Sequence, residues 1–581
     1  MKLNNYHSDN ENLNKLLDGI TAEIDDYAKT HGLEASPAGN PLTDTLNSII
    51  GKVKDYADKQ ITHITKLNEI GIALSAEQNL QRLLERIVDE ARAFSTADAG
   101  TLYILNEERQ CLEFAIVQND TMKTRMGGTA GPITWPPVPL TKDGQPNCSN
   151  VSSYTAVTGE IVNIPDVYEA EGFDFTGTKK FDAGTGYRSK SMLVVPMRNK
   201  ENEIIGVLQL INAIDAQTKE SVAFLRENVA LIASLASQAA VAITNVRLYR
   251  ELEHLLDSFI RAIAMAIDEK SPYTAGHIRR VQELTMIIAK KMTDQAEGVF
   301  KDFKLNEDEL KELSTAAWLH DIGKVTTPEH VVDKATKLEK ISDRAELVSM
   351  RYEAMKRDTL IEYYKKLVSE ECELNEDKAA EIKKQFDERY NELEAERKFV
   401  LACNQPAEFM DDAKVAKLKS ISEKNWNDGV GSRPFLSEDE LYNLSIRKGT
   451  LTKEERTIIE NHALVTSKIL KSLPFPKKLM RVPEYAAQHH EKLDGTGYPF
   501  GKKAEELAYQ SRIIAIADIF EALTASDRPY KKPMPISQAL KILGFMKKDG
   551  HIDPDILDFF INEKIYREYA DKEIKPSQID C

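Results

Sequence analysis

Two adjacent imidazoles, His489 and His490, precede a glycine-rich turn, Glu491-Lys492-Leu493-Asp494-Gly495-Thr496-Gly497-Tyr498-Pro499. Paired neutral imidazoles are good ligands for a transition metal. A second cue lies upstream in His320-Asp321-Ile322-Gly323-Lys324, where a histidine is followed by a carboxylate able to span two ions. Five of the eleven histidines, His277, His320, His462, His489 and His490, share such settings. Asp518 sits in the apolar run Ile513 to Phe520, where a carboxylate is costly unless paired or metal-bound. One buried histidine is usually a core residue, and Asp494-Gly495-Thr496-Gly497 alone is an ordinary turn. Together these residues point to two or more metal ions that hydrolyse a phosphoester.

Such a site needs helices that converge with histidine and aspartate turned inward. The apolar spacing of Leu313, Ala316, Ala317 and Leu319 predicts a helix ending at His320-Asp321. Residues 456–470 predict a helix carrying His462, and 483–488 one ending at His489-His490.

Composition limits the alternatives. The chain has 581 residues, 42% hydrophobic and 29% charged, which is ordinary globular composition and too long for one core. A net charge of -16 argues against a nucleic-acid polymer as main partner, so an anionic substrate requires positive charge focused at its site. Five scattered cysteines without a CxxC pair suit a reducing cytoplasm and argue against a thiolate zinc site. The N-terminus has no apolar signal region. The apolar run Val229 to Val246 is interrupted by Ser, Gln, Thr and Asn, and reads as a buried or dimer-forming helix, not a membrane span.

Along the chain, residues 1–60 read as a helical, partly frayed segment, with helical spacing from Thr43 onward. Residues 61–240 alternate helices with short strands, over 100–105, 112–117, 191–196 and 204–212, the last two flanking a polar hairpin at 198–202. An antiparallel sheet with helices is the natural α+β assembly. Residues 241–268 read as a connecting helix whose seam, including Leu248, Leu252 and Leu255, fits a second copy. Residues 269–581 are all-α, with a charge-dense helical insertion at about 340–445.

The first of these regions resembles GAF domains of cyclic-nucleotide phosphodiesterases and cyclases. The matching stretches are Val162-Asn163-Ile164-Pro165-Asp166-Val167-Tyr168, Gly184 to Ser191, and Gly206 to Asn212. Nucleotide-binding members carry an Asn-Lys pair and later a Phe followed by Asp-Glu. Here Asn212 and Phe224 are present, with Ala213 and Asn228-Val229 at the other places. The resemblance implies a small-ligand or dimerising sensor domain.

The helical region resembles HD-GYP domains, HD hydrolases whose members degrade cyclic di-GMP, from Ala275-Gly276-His277 to Asp527-Arg528-Pro529-Tyr530. The resemblance implies that His277, His320, Asp321, His462, His489, His490 and Asp518 are metal ligands, with Asp321 bridging. It implies that Lys324, Arg528 and Lys531 face phosphate, and that Gly495, Gly497, Tyr498 and Pro499 shape the closing loop. Asp321 and Lys324 would be the catalytic pair. Histidine and carboxylate ligands suit divalent iron or manganese. Tyr273 and Ser271 stand where three-metal members carry acids, favouring two ions over three. The implied function is a GAF-regulated, metal-dependent phosphodiesterase converting cyclic di-GMP to pGpG and on to GMP. The alternatives are a hydrolase of another cyclic dinucleotide, cyclic GMP-AMP, and a catalytically silent cyclic-dinucleotide receptor.

Overall fold

The computed structural model describes residues 3–30, 41–270, 276–369, 376–526 and 533–581. Contacts divide the chain into two units, 1–254 and 255–581.

The first unit begins with helices α1 (Leu3–Thr30) and α2 (Pro41–Ala76). Helix α1 packs on α2, and Lys54 pairs with Asp18; residues 31–40, within the segment expected to be partly frayed, lie outside the described residues. The boundary expected at residue 60 falls inside α2, whose Leu67, Ile70 and Leu74 enter the domain core. Helix α3 (Leu80–Ser95) starts where the Asn79 side chain accepts from the amides of Gln81 and Arg82, satisfying two otherwise unpaired donors.

The main sheet is antiparallel, with central order Thr124–Gly127, Cys111–Asn119, Ala97–Asn106, Ile204–Ile214, Met192–Arg198 and Val162–Ile164. The 192–198 and 204–214 strands form the hairpin expected around 198–202. Because side chains alternate along a strand, the sheet has two apolar faces. Leu102, Leu193, Leu208 and Leu210 pack with α2, α3 and the long helix α6 (Arg226–Asp268), which follows α4 (Val151–Thr158) and α5 (Thr176–Thr185). Tyr103, Val194 and Val207 belong to a second cluster with Val151, Ala156 and Phe175 at α4 and α5.

Helix α6 is long and apolar enough, by length and composition, to cross a membrane. Its N-terminal half is instead a core helix, with Ile232, Leu235, Ala236, Ala239 and Ile243 buried in the domain. The helix therefore divides: Leu235 and Ala239 are buried, whereas Leu248, Leu252 and Leu255 of the expected seam are exposed.

The second unit is helical: α7 (His277–Asp294), α8 (Glu307–Leu319), the short α9 (Glu329–Val332), α10 (Ala345–Ser369), α11 (Glu376–Cys403), α12 (Asp412–Ser422), α13 (Glu438–Leu444), α14 (Lys453–Lys471), α15 (Val482–Ala487), α16 (Tyr509–Thr524), α17 (Ile536–Lys548), α18 (Pro554–Asn562) and α19 (Ile565–Glu573). Helices α8, α13 and α14 each begin with a capping box, Asn306/Glu309, Ser437/Glu440 and Thr452/Glu455. The insertion is more than a hairpin of α10 on α11. It adds α12, α13 and a two-stranded ribbon, 425–427 with 432–434, around its own core of Leu338, Tyr352, Leu393, Val400, Phe435 and Leu444. Buried Lys334 links the insertion to α14 by donating to Asn443 of α13 and to Glu455 of α14, at 2.8 Å each.

Candidate metal centre

Five helices supply the site. His277 opens α7, His320 and Asp321 follow α8, His462 lies within α14, His489 and His490 follow α15, and Asp518 lies within α16. These helices pack on one another over a core that includes Leu284, Leu319, Ala486, Ile514 and Ala517. The turn after Asp321 is held in two ways. Gly323 donates to Thr466 Oγ1 at 3.0 Å, and Thr466 donates in turn to His320 O at 3.1 Å. Lys270 Nζ caps the carbonyls of Lys324 and Val325 at 3.0 and 2.6 Å. A side chain at Gly323 would place its Cβ 1.9 Å from the His462 carbonyl oxygen, so only glycine allows this approach of the turn to α14.

All seven residues implied as ligands meet at one place. Their donor atoms form three overlapping groups, each within 4.8 Å: His277, His320 and Asp518; His462, His489 and His490; and His320, Asp321 and His489. Asp321 is central. Its Oδ2 lies 3.6 Å from His277 Nε2 and 3.3 Å from His320 Nε2, while its Oδ1 lies 3.3 Å from His462 Nε2 and 4.0 Å from His489 Nε2. His277 Nε2 is also 3.3 Å from Asp518 Oδ1.

The rings are aimed from behind. His320 Nδ1 donates to Ala317 O at 2.7 Å, His489 Nδ1 to Ala486 O at 2.6 Å, and His462 Nδ1 to Ile459 O. Carbonyls accept only, so each Nδ1 carries the proton and each Nε2 presents a lone pair to the centre. His277 Nδ1 meets the buried Glu521 carboxylate, which Arg280 Nε holds from the other side at 2.7 Å. Sequence reasoning missed Glu521 and Arg280. Each lies three residues after a ligand, Asp518 and His277, and so on the same helix face, the one signal that could have found them.

The buried atoms His320 Nε2, His462 Nε2, His489 Nε2 and Asp321 Oδ1 have no hydrogen-bond partner among the described residues. Orphaned buried acceptors are costly, and four converging on one point fit cations. The charge states of His489 and His490 agree with that fit. Burial holds the His490 imidazole down at about 3 and His489 well below the usual value, so both are neutral ligands near pH 7. Burial opposes ionisation of Asp321 and Asp518, but Lys324 and the histidines around Asp321, and His277 beside Asp518, hold both below the carboxylate range. Burial likewise disfavours charge on His277, yet Glu521, Asp321 and Asp518 together raise it well above the usual imidazole value.

The closing loop follows His490. Tyr498 packs over His490, ring centroids 4.8 Å apart, and donates its amide to His490 O at 3.3 Å. The Tyr498-Pro499 peptide is cis. Buried Glu491 anchors the loop by accepting from the amides of Phe500 at 2.7 Å and Lys502 at 3.0 Å. A Cβ at Gly497 would sit 2.3 Å from Lys492 N, and Gly495 has φ 80°. Lys324, expected to face phosphate, pairs with Asp321 Oδ2, a buried anion that draws the nearest cation. Arg528, Lys531, Tyr273 and Ser271 lie outside the described residues.

Comparison with known proteins agrees with both architectures. Residues 79–243 match the GAF domain family, and residues 274–400 and 437–556 match two HD domain families. The chain thus carries a GAF domain followed by a largely helical HD domain region. Among curated relatives, a 3'3'-cGAMP-specific phosphodiesterase 3 of Vibrio cholerae is 45% identical over 111 residues, 19% of this chain and 23% of that protein. A probable cyclic di-GMP phosphodiesterase of the same organism is 36% identical over 141 residues, 22% of this chain and 32% of the relative. A cyclic di-GMP phosphodiesterase of Thermotoga maritima is 34% identical over 126 residues, 22% and 33% of the two chains. The matches thus span a third or less of these relatives' lengths. A solved GAF domain from an Acinetobacter phosphoenolpyruvate-protein phosphotransferase aligns at 16% identity and TM-score 0.25, over 33% of this chain and 98% of that one.

Proposed function

We propose that the chain is an HD-GYP-type phosphodiesterase that hydrolyses cyclic di-GMP to pGpG and on to GMP. The observation that supports this best is Asp321, whose two oxygens face two different histidine groups with orphaned Nε2 atoms. His277, His320 and Asp518 would hold one divalent ion, and His462, His489 and His490 a second, with Asp321 shared between them. Iron or manganese fits these donors. Bound there, such ions would supply Lewis acidity toward the phosphodiester and a low-pKa water.

The chain's own residues do the rest. Neutral His489 and His490 offer lone pairs without first losing a proton. Lys324 Nζ, which pairs with Asp321 at the edge of the site, would donate to a phosphate oxygen there. Tyr498 covers one side of the histidine cluster and limits water there. Arg528 and Lys531 add positive charge in this reading, by the family resemblance. The GAF domain would regulate the site, with α6 as the connecting element and, through its exposed stripe, the dimer contact. The reading carries a cytoplasmic location.

Cyclic GMP-AMP is the second reading, favoured by the relative at 45% identity whose name states that substrate. The test is the full chain, purified without oxygen and loaded with Fe(II) or Mn(II), assayed against both cyclic dinucleotides. Linear products from cyclic di-GMP are expected. Faster turnover of cyclic GMP-AMP would select the second reading, and no turnover of either with any divalent metal would remove the enzyme.

A further inference from the structure

The GAF domain encloses a cavity of about 370 Å³, within the range of small-molecule sites. It lies between the sheet and helices α4 and α5, on the face opposite α3 and α6. One wall is a run of aromatic rings in contact: Tyr103 to Phe114 at 4.7 Å, Phe114 to Trp135 at 5.3 Å, and Trp135 to Phe181 at 6.3 Å. Trp135 and Phe181 are 39% and 41% exposed, so two large apolar rings stand toward solvent at the rim of an apolar hole. Rings held in that way offer flat faces for stacking.

The polar lining is specific in sign. The Gln118 amide oxygen accepts from Arg92 Nη1 at 3.2 Å, and the Gln209 amide oxygen accepts from Tyr103 OH at 2.9 Å. Both oxygens being engaged, the edge each amide turns to a ligand is its NH₂ donor. Among the described residues Gln209 Nε2 meets only the Met192 thioether at 3.1 Å, a weak acceptor. Among the described residues no lysine, arginine or histidine lines the cavity, and Asp174 is its one carboxylate. Arg92, behind Gln118, is already paired with Asp120. Asn212 is consumed structurally: it accepts from Lys190 N and donates to Tyr187 OH and Arg188 O.

We propose that this cavity binds an uncharged, planar heteroaromatic ligand bearing carbonyl or ring-nitrogen acceptors, and that it rejects phosphate-bearing nucleotides. The rings stack on the Tyr103–Phe181 wall, and Gln118 and Gln209 donate to the acceptors. A phosphate would enter without a cation and beside Asp174, a desolvation that the aromatic wall does not offset. This inference is independent of the phosphodiesterase reading, since it concerns only the sensor domain.

The test uses the full chain and matched probes: adenine, hypoxanthine and lumichrome, against cyclic AMP and cyclic GMP. Binding is read from quenching of Trp135 fluorescence, identified by its loss in Trp135→Phe, and from the shift in melting temperature. Saturable binding of at least one neutral ring is expected, at least about 10-fold tighter than either cyclic nucleotide. Gln209→Leu is expected to weaken it about 10-fold or more, because a site built to donate a hydrogen bond discriminates strongly. A cyclic nucleotide binding as tightly as the neutral rings overturns the proposal. So does the absence of saturable binding by all three neutral probes.

Discussion

Four of the five histidines of the cluster have their rings turned by a neighbour before any ion arrives. Three use a backbone carbonyl, and His277 uses Glu521 with Arg280 behind it. Glu521→Gln keeps the shape but removes the charge that orients His277. It is expected to weaken metal binding roughly 10- to 100-fold, as outer-shell changes do, with little change in secondary structure. Metal titration followed by circular dichroism reads both, and unaltered affinity would show that Glu521 only fills space. Acid is expected to destabilise the metal-free chain. His489 and His490 have folded pKa values below their unfolded 6.5, so their contribution is present above pH 6.5 and is lost as pH falls toward about 3 for His490. Asp321 and Asp518 are also lowered and add a loss below 3.8. His277 has the opposite sign: its contribution is complete below 6.5 and is lost as pH rises through its raised value. The melting temperature should therefore drop from pH 6.5 toward pH 4, less steeply in His490→Gln. An identical slope in that variant would refute the histidine assignment.

At the scale of elements, the loop after His490 is shaped by close backbone approach. Gly497→Ala places a Cβ against Lys492 N and displaces Tyr498 from His490. A shift of about 1 Å near a reacting centre costs on the order of 100-fold in rate. We expect that loss in kcat with metal content unchanged; wild-type kcat would mean the loop takes no part. The helices that carry the histidine cluster were legible in the sequence because histidines and an aspartate interrupt apolar runs at helical spacing. Glu521 and Arg280 were not, since one charge on a helix reads equally well as a solvated face. Lys324 was legible in place but not in partner, because pairing with Asp321 depends on how the turn folds back. The insertion hid most: its charge density masks a core into which Lys334, Lys337 and Lys356 are themselves buried. The GAF strands were legible by alternation, whereas the cavity between sheet and helices required the packing of both.

At the scale of the molecule, α6 changes character along its length. Its first half is buried in the GAF core, and its second exposes Leu248, Leu252, Leu255 and Phe259 at four-, three- and four-residue spacing. That stripe has the repeat of a two-stranded coiled coil. The parent is expected to sediment as a dimer and the double variant Leu252→Glu/Leu255→Glu as a monomer; a variant that stays dimeric would move the interface elsewhere. The chain joins a GAF domain to an HD domain region, and the proposed reading assigns sensing to the first and hydrolysis to the second. The claim on which the rest depends is that Asp321 lies between two cations. Elemental analysis of the full chain purified without oxygen tests it most directly, with Asp321→Ala and a surface control alongside. Two iron or manganese ions per wild-type chain, and marked loss of both in Asp321→Ala, are predicted. Metal-free wild-type protein that takes up none on loading, or a stoichiometry indifferent to Asp321, would contradict the account.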